Sequence, residues 1–150
     1  TTNFSCANND YFFQVSLNIK DSVIIYYMVI YLLVAKKINE NKPNLTNSLV
    51  DILLIQNIKN IKIYKPNLDI YSDYVIISTA TSNTQMNSAL TKTIKHIKSL
   101  GLKVLSEGIN SSWILLQSNG VSLHIFTEET RDYYSIEDLY FDSNLVNQYG

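Results

Sequence analysis

Between His124 and Tyr140 the chain reads HIFTEETRDYYSIEDLY, seventeen residues holding one histidine, five carboxylates, one arginine and three tyrosines. Such a set could move protons, ligate a cation or present a charged face to a partner. Nucleophilic catalysis also needs a nucleophile on an exposed turn with a base in reach. No G-x-S-x-G occurs, and the lone cysteine, Cys6, lies in an opening stretch with little pattern. The two histidines, His96 and His124, stand 28 residues apart without H-E-x-x-H or any paired-ligand spacing, so no metal is expected. With four glycines the chain has neither a P-loop nor a G-x-G-x-x-G turn. The residues thus assign no catalytic group and no cofactor.

The same residues have plainer roles. In VSLHIF the alternation puts Val121, Leu123 and Ile125 on one face of a strand, and Ser122, His124 and Phe126 on the other. A histidine beside a phenylalanine there reads as a hydrogen-bonded structural residue. Glu128, Glu129 and Asp132 suit the first turn of a helix, where the dipole favours acids. Charge is nevertheless unevenly distributed. Residues 1–105 carry eleven Lys and six acids, whereas residues 106–150 carry Arg131 and seven acids. An acidic end of that kind repels nucleic acid and suits a basic protein.

The elements that must position these residues follow from periodicity. Leu45, Leu49, Ile52, Leu53 and Gln56 are spaced for a short amphipathic helix with Thr46 or Asn47 as its cap. IKIYK (61–65) alternates like a half-buried strand, and DYVIIST (73–79) is a continuous apolar run, suited to a central strand buried on both faces. Ser82-Asn83-Thr84-Gln85 has the form of a capping box, with the glutamine reaching back. Met86, Leu90, Ile94, Ile97 and Leu100 then recur at helical spacing, and Gly101 closes the helix. Lys92, Lys95 and Lys98 fall off that apolar stripe, on a solvated face from which they could approach RNA. Strands are expected at 103–107, 112–117 and 121–126, the last two joined by a hairpin with Asn119-Gly120 at positive φ. Two short helical turns, the second capped by Ser135, follow. The sum is an α/β sandwich: a mixed sheet of about five strands flanked by helices.

Ahead of this lies a different stretch. Residues 1–44 contain no arginine, and Val23 to Ala35 (VIIYYMVIYLLVA) is a thirteen-residue uncharged run ending at Lys36-Lys37. A membrane-spanning helix needs about 20 residues, so no span is expected. The run reads as a buried helix or docking segment. NENKPNLTNS (39–48), with Pro43 as a breaker, reads as the linker.

Four stretches carry a resemblance: SDYVIISTATSNTQ (72–85), EG (107–108), WILLQSNGVSLHIF (113–126) and RDYYSIEDLY (131–140). Together, in this order, they resemble the ribosomal silencing factor family, also called Iojap. The likeness covers about 45 to 143, leaving 1–44 as an extension and 144–150 as a tail. Matching positions are Asp73, Tyr74, Thr79, Ser82, Gln85, Glu107, Gly108, Trp113, His124, Phe126, Arg131, Tyr134 and Leu139. Departures are Ala80 for a glycine of the capped turn, Gln117 for an aspartate and Tyr140 for a tryptophan.

The resemblance implies a nucleotidyltransferase-like sandwich without established catalysis. It also implies docking on the large ribosomal subunit through the fourteenth large-subunit ribosomal protein, which blocks joining of the small subunit. The setting is translational silencing or late large-subunit assembly. Trp113, His124, Glu128, Glu129, Arg131, Asp132 and Tyr134 are the expected binding residues. Asp73, Tyr74, Thr79, Ser82, Gln85, Glu107, Gly108, Phe126 and Leu139 are the expected structural ones. The extension reads as an organellar addition that docks a further assembly factor, with the mitochondrial matrix favoured over a plastid or bacterial cytoplasm. The alternative is a nucleotide-binding protein or enzyme using the Thr79–Gln85 turn.

Overall fold

The computed structural model describes residues 42–67 and 72–150. The apolar run Val23–Ala35 lies outside the described residues. Among those described, no helix is long and apolar enough to cross a membrane.

Helix α1 spans Lys42–Ile55, starting earlier than its capping residues suggest. Pro43 falls in the first turn instead of breaking the chain, because a first-turn N–H has no intrahelical acceptor to lose. Thr46, at 3% exposure, is buried inside the helix and is not its cap. Leu45, Leu49, Val50 and Leu53 form the buried stripe.

Six strands follow in one sheet: β1 (Lys59–Lys65), β2 (Tyr74–Ala80), β3 (Leu105–Glu107), β4 (Trp113–Ser118), β5 (Val121–Thr127) and β6 (Asn144–Tyr149). Their spatial order is β3-β4-β5-β2-β1-β6. Only β2 and β5 run parallel; the other neighbours are antiparallel. The sheet is mixed as expected, with one strand more than five. The extra strand is β6, since residues 144–149, expected as a tail, pair along β1 from Ile61↔Tyr149 to Lys65↔Asn144. NLVNQY lacks the alternation of a half-buried strand, so its pairing is a tertiary event. Strand β2 is buried from Val75 to Ala80, as a central strand with a cover on each face must be.

Helix α2 (Asn83–Ser99) lies with α1 on one face of the sheet. Their apolar stripes pack on Ile61, Ile63, Ile76, Ile114, Leu116, Val121, Leu123 and Ile125 in the main core. Ser82 caps α2 by accepting from the Gln85 N–H at 3.2 Å. Gln85 reaches further than a capping box requires. Its Oε1 accepts from the Thr81 N–H at 2.7 Å, while its Nε2 donates to the Gln56 and Asn57 carbonyls at 3.0 and 2.9 Å. One side chain thereby ties the start of α2 to the end of α1. Gly101, at φ +73, follows the helix end.

The hairpin between β4 and β5 turns on Asn119 (φ 45) and Gly120 (φ 75), the two positive φ values that a type I′ turn needs. On the second face of the sheet sit α3 (Glu128–Tyr134) and a 3-10 turn (Ile136–Tyr140). Thr127 caps α3. Ser135 does not cap the following turn: it adopts a left-handed conformation (φ 43) and its hydroxyl donates back to the Asp132 carbonyl. Tyr64, Val75, Ile77, Phe126 and Ile136 form a smaller core under these turns.

Candidate functional site: an aromatic face rimmed by acids

Strand register brings the residues of the second face into rows. Trp113 pairs with Phe126, and Phe126 with Thr79; one step along, Leu115, His124, Ile77 and Lys62 align across four strands. Trp113 sits at the end of its row, half-buried. Its indole stacks on Phe126 at 5.0 Å and on His124 at 5.9 Å, with Tyr134 tilted against it at 5.3 Å. His124 and Phe126 are themselves stacked, their planes 5° apart and their centroids 6.0 Å apart.

The indole N–H of Trp113 donates to Nδ1 of His124 at 3.2 Å. Nδ1 is therefore the unprotonated nitrogen. With 2% exposure, burial pushes the His124 pKa down to about 4, so the ring is neutral at neutral pH. A general base needs an available lone pair near its substrate. Here the Nδ1 lone pair is engaged by tryptophan, and the ring serves as a platform.

Arg131 is 8% exposed and holds the C-terminal turns to the sheet. Its Nη1 donates to the Asn60 carbonyl at 2.7 Å and to the Thr79 hydroxyl at 2.6 Å. Its Nε and Nη2 both donate to Glu137 Oε1, at 3.0 and 2.6 Å. The Asn60 carbonyl belongs to a bulge, since β1 spends one extra residue between Lys59 and Lys62 against β2. Lys62 adds a second ion pair to Glu137 at 3.3 Å. Burial alone would raise the Glu137 carboxyl, but its bonds to Arg131, with Lys62, bring it below the ordinary value. Tyr64, stacked on Tyr140 at 5.7 Å, is raised by burial and by the nearby Glu137 charge, against the opposing pull of Arg131.

The structure thus joins Trp113, His124, Phe126, Arg131, Tyr134 and Thr79 in one assembly. His124 and Arg131, expected to touch a partner, are buried supports instead. Glu128, Glu129 and Asp132 stand exposed on α3. Glu107 is exposed on β3, opposite Leu115. Gly108, at φ +76, sits where a Cβ would lie 2.0 Å from the Trp113 carbonyl oxygen, so it shapes the entry to β4. Asp73 and Tyr74 are half-buried at the start of β2, and the backbone N–H of each donates to the Gly120 carbonyl. Ser82 and Gln85 work on the other side of the sheet. Leu139, expected to be structural, is 63% exposed. It joins Tyr133 at 74% and Phe141 at 86% as apolar side chains left in solvent on the C-terminal turns. Sequence reasoning missed Tyr133 and Phe141; it expected Arg131 to pair within the acidic cluster without singling out Glu137. Only their aromatic or acidic type, in a segment already conspicuous for both, signals them.

The Thr79–Gln85 turn is occupied by its own bonds: Thr79 serves Arg131, Ser82 caps α2, and Gln85 bridges the helices. Among the described residues, no three His, Cys, Asp or Glu side chains converge to hold a metal ion.

The second face thus carries a half-exposed tryptophan on an aromatic platform, followed in the chain by a helix with exposed acids, within a mixed α/β sandwich. The chain belongs to the ribosomal silencing factor family: the family described as "Ribosomal silencing factor during starvation" matches residues 39–149. That family consists of ribosome-associated factors and is not a known enzyme family. Its match begins within the stretch read as a linker and takes in β6. Among solved structures, the chain is similar to a protein from Chromobacterium violaceum, with 23% identity and a TM-score of 0.61, over 67% of this chain and 87% of that one. A protein from Bacillus halodurans is similar at 22% identity and a TM-score of 0.57, over 65% and 94%. These two likenesses concern the fold.

Proposed function

We propose that this protein docks on the large ribosomal subunit through the fourteenth large-subunit ribosomal protein and sterically blocks joining of the small subunit. The setting is translational silencing or late assembly of the large subunit. Family membership supports a ribosomal role. The observation that carries the docking reading is Trp113: half-buried, backed by Phe126 and His124, with the exposed carboxylates of Glu128, Glu129 and Asp132 on the helix that follows β5. Tryptophan held rigid on a platform is the residue type that most often anchors an interface, and acids around it favour a basic partner and speed its approach. Tyr133, Leu139 and Phe141 extend the apolar contact.

Sedimentation through sucrose gradients tests this directly. The protein is expected to travel with purified large subunits and to reduce the joined particle when small subunits are added. Travel with the small subunit, or undiminished joining at saturation, would show the reading to be wrong. Tight, metal-dependent binding of a nucleoside triphosphate would instead favour the enzyme alternative.

A further inference from the structure

The sheet separates opposite charges. On the α1/α2 side, Lys92, Lys95 and Lys98 are all exposed, and Lys103 stands exposed just beyond the end of α2. Helix α2 carries no carboxylate, and Asp51 is the only one on α1. On the opposite side, Glu128, Glu129, Asp132 and Asp138 are exposed. The sequence asymmetry between the two parts of the chain becomes, in the fold, an asymmetry between two faces.

Three-residue steps make Lys92, Lys95 and Lys98 neighbours along a slanted row that rises about 9 Å and sweeps about a third of the helix circumference. Like charges at that spacing weaken a helix unless something relieves them. Among the described residues none of the three has a carboxylate at ion-pair distance; the ion pairs present are those of Lys62 and Arg131 with Glu137. The surroundings also constrain the occupant. Thr91 and Ser99 are exposed beside the row, Ile94 and His96 are half-buried, and His96 is bonded to Ser48 of α1 at 3.0 Å. Neither helix contains a Phe, Tyr or Trp on which a base could stack or which could anchor in a bilayer interface.

We propose that the outer face of α2 is a contact for the phosphate backbone of structured RNA, made by Lys92, Lys95 and Lys98. This rests on the ribosomal role argued above, which brings the chain to a surface built of RNA and basic protein. The acid-rimmed face holds the protein and the lysine face meets the RNA. Recognition on the lysine side is of charge and shape, because lysines bind phosphates and the deep, narrow major groove of an RNA duplex keeps its base edges from side chains.

The test uses the full chain and a short fluorescent RNA duplex, with anisotropy followed as a function of salt. The parent is expected to bind with a negative slope of log affinity against log salt. A variant carrying Lys92→Gln, Lys95→Gln and Lys98→Gln is expected to lose about two to three from that slope and about tenfold or more in affinity at low salt. All three sites are exposed, so circular dichroism should match the parent. An unchanged slope overturns the proposal. So does a lysine-dependent binding to phosphatidylserine vesicles with no binding to the duplex. Binding of the isolated ribosomal protein is expected to survive the lysine changes and to fall with Trp113→Ala, whereas RNA binding should do the reverse. Failure of one face therefore leaves the other independently testable.

Discussion

The indole N–H of Trp113 donates to His124 Nδ1 across 3.2 Å, joining a half-buried ring to one that is 2% exposed. The candidate face is fixed from beneath: its half-buried tryptophan takes its orientation from a core histidine. Trp113→Ala removes the anchor and is expected to cost about 2 kcal/mol or more of docking free energy. Trp113→Phe keeps the stack but leaves Nδ1 without its donor, at about 1–2 kcal/mol of stability. Titration calorimetry and urea unfolding separate these two effects.

His124 also makes the fold acid-sensitive. Its pKa falls from 6.5 to about 4 on folding, so between those values the unfolded chain binds the extra proton. Stability from this group is complete above about pH 6.5 and is lost as the pH falls towards 4, by about 3 kcal/mol in all. The depressed Glu137 carboxyl acts in the same direction, its contribution fading as the pH falls through its folded pKa. In a melting series from pH 7.5 to about pH 4, His124→Gln is expected to flatten the upper part of the fall. A parent melting point independent of pH would contradict this.

Arg131 is the buried staple of the second face, and its loss strands several partners. Arg131→Met leaves the Thr79 hydroxyl and the Asn60 carbonyl without their donor and Glu137 with Lys62 alone. The expected cost is about 3–5 kcal/mol. Arg131→Lys should recover only part of it, since one ammonium cannot reproduce a planar fork reaching three groups. Denaturant titrations of the two variants give the comparison.

Gly108 and Gly101 share a left-handed backbone but not a neighbourhood. A Cβ at Gly101 meets nothing within 4 Å, so Gly101→Ala should cost about 1 kcal/mol through conformation alone. At Gly108 the same change also meets the Trp113 carbonyl, and about 2–4 kcal/mol is expected, with weaker docking because the entry to β4 must shift.

Phe141, at 86% exposure, offers the inverse case. Phe141→Ser should leave stability within about 0.5 kcal/mol, yet weaken large-subunit binding by about 1 kcal/mol if the apolar contact extends that far. Equal binding by parent and variant would confine the contact to the neighbourhood of Trp113.

Much of this architecture was legible because its signals are local. Asn119-Gly120 specified a hairpin through backbone conformation, Ser82 a cap, and the run through Val75, Ile76 and Ile77 a central strand. Pro43 misled because the residue that ends a helix also suits its first turn. The site was legible in composition but not in geometry. Ser135, in its left-handed conformation, breaks the helical phase between Arg131 and Glu137, so no spacing rule links them. The bond between Trp113 and His124 is a diagonal across two antiparallel strands and depends on their register. Strand β6 has no strong pattern of its own, and its partner lies far back in the chain.

That last pairing sets an order of events during synthesis. Strands β2 and β5 can meet, and the helices can pack, once the ribosome has released residues up to about the end of the β4–β5 hairpin. Strand β1 must still wait, because the ladder from Ile61 to Lys65 is completed only by residues 144–149. Until then its outer edge presents unpaired backbone groups, the usual template for pairing with a stray strand. The outer side of β1 is thus covered by the last of the described strands to emerge, and a chain cut short before Asn144 would leave β1 in place of β6 as the edge of the sheet.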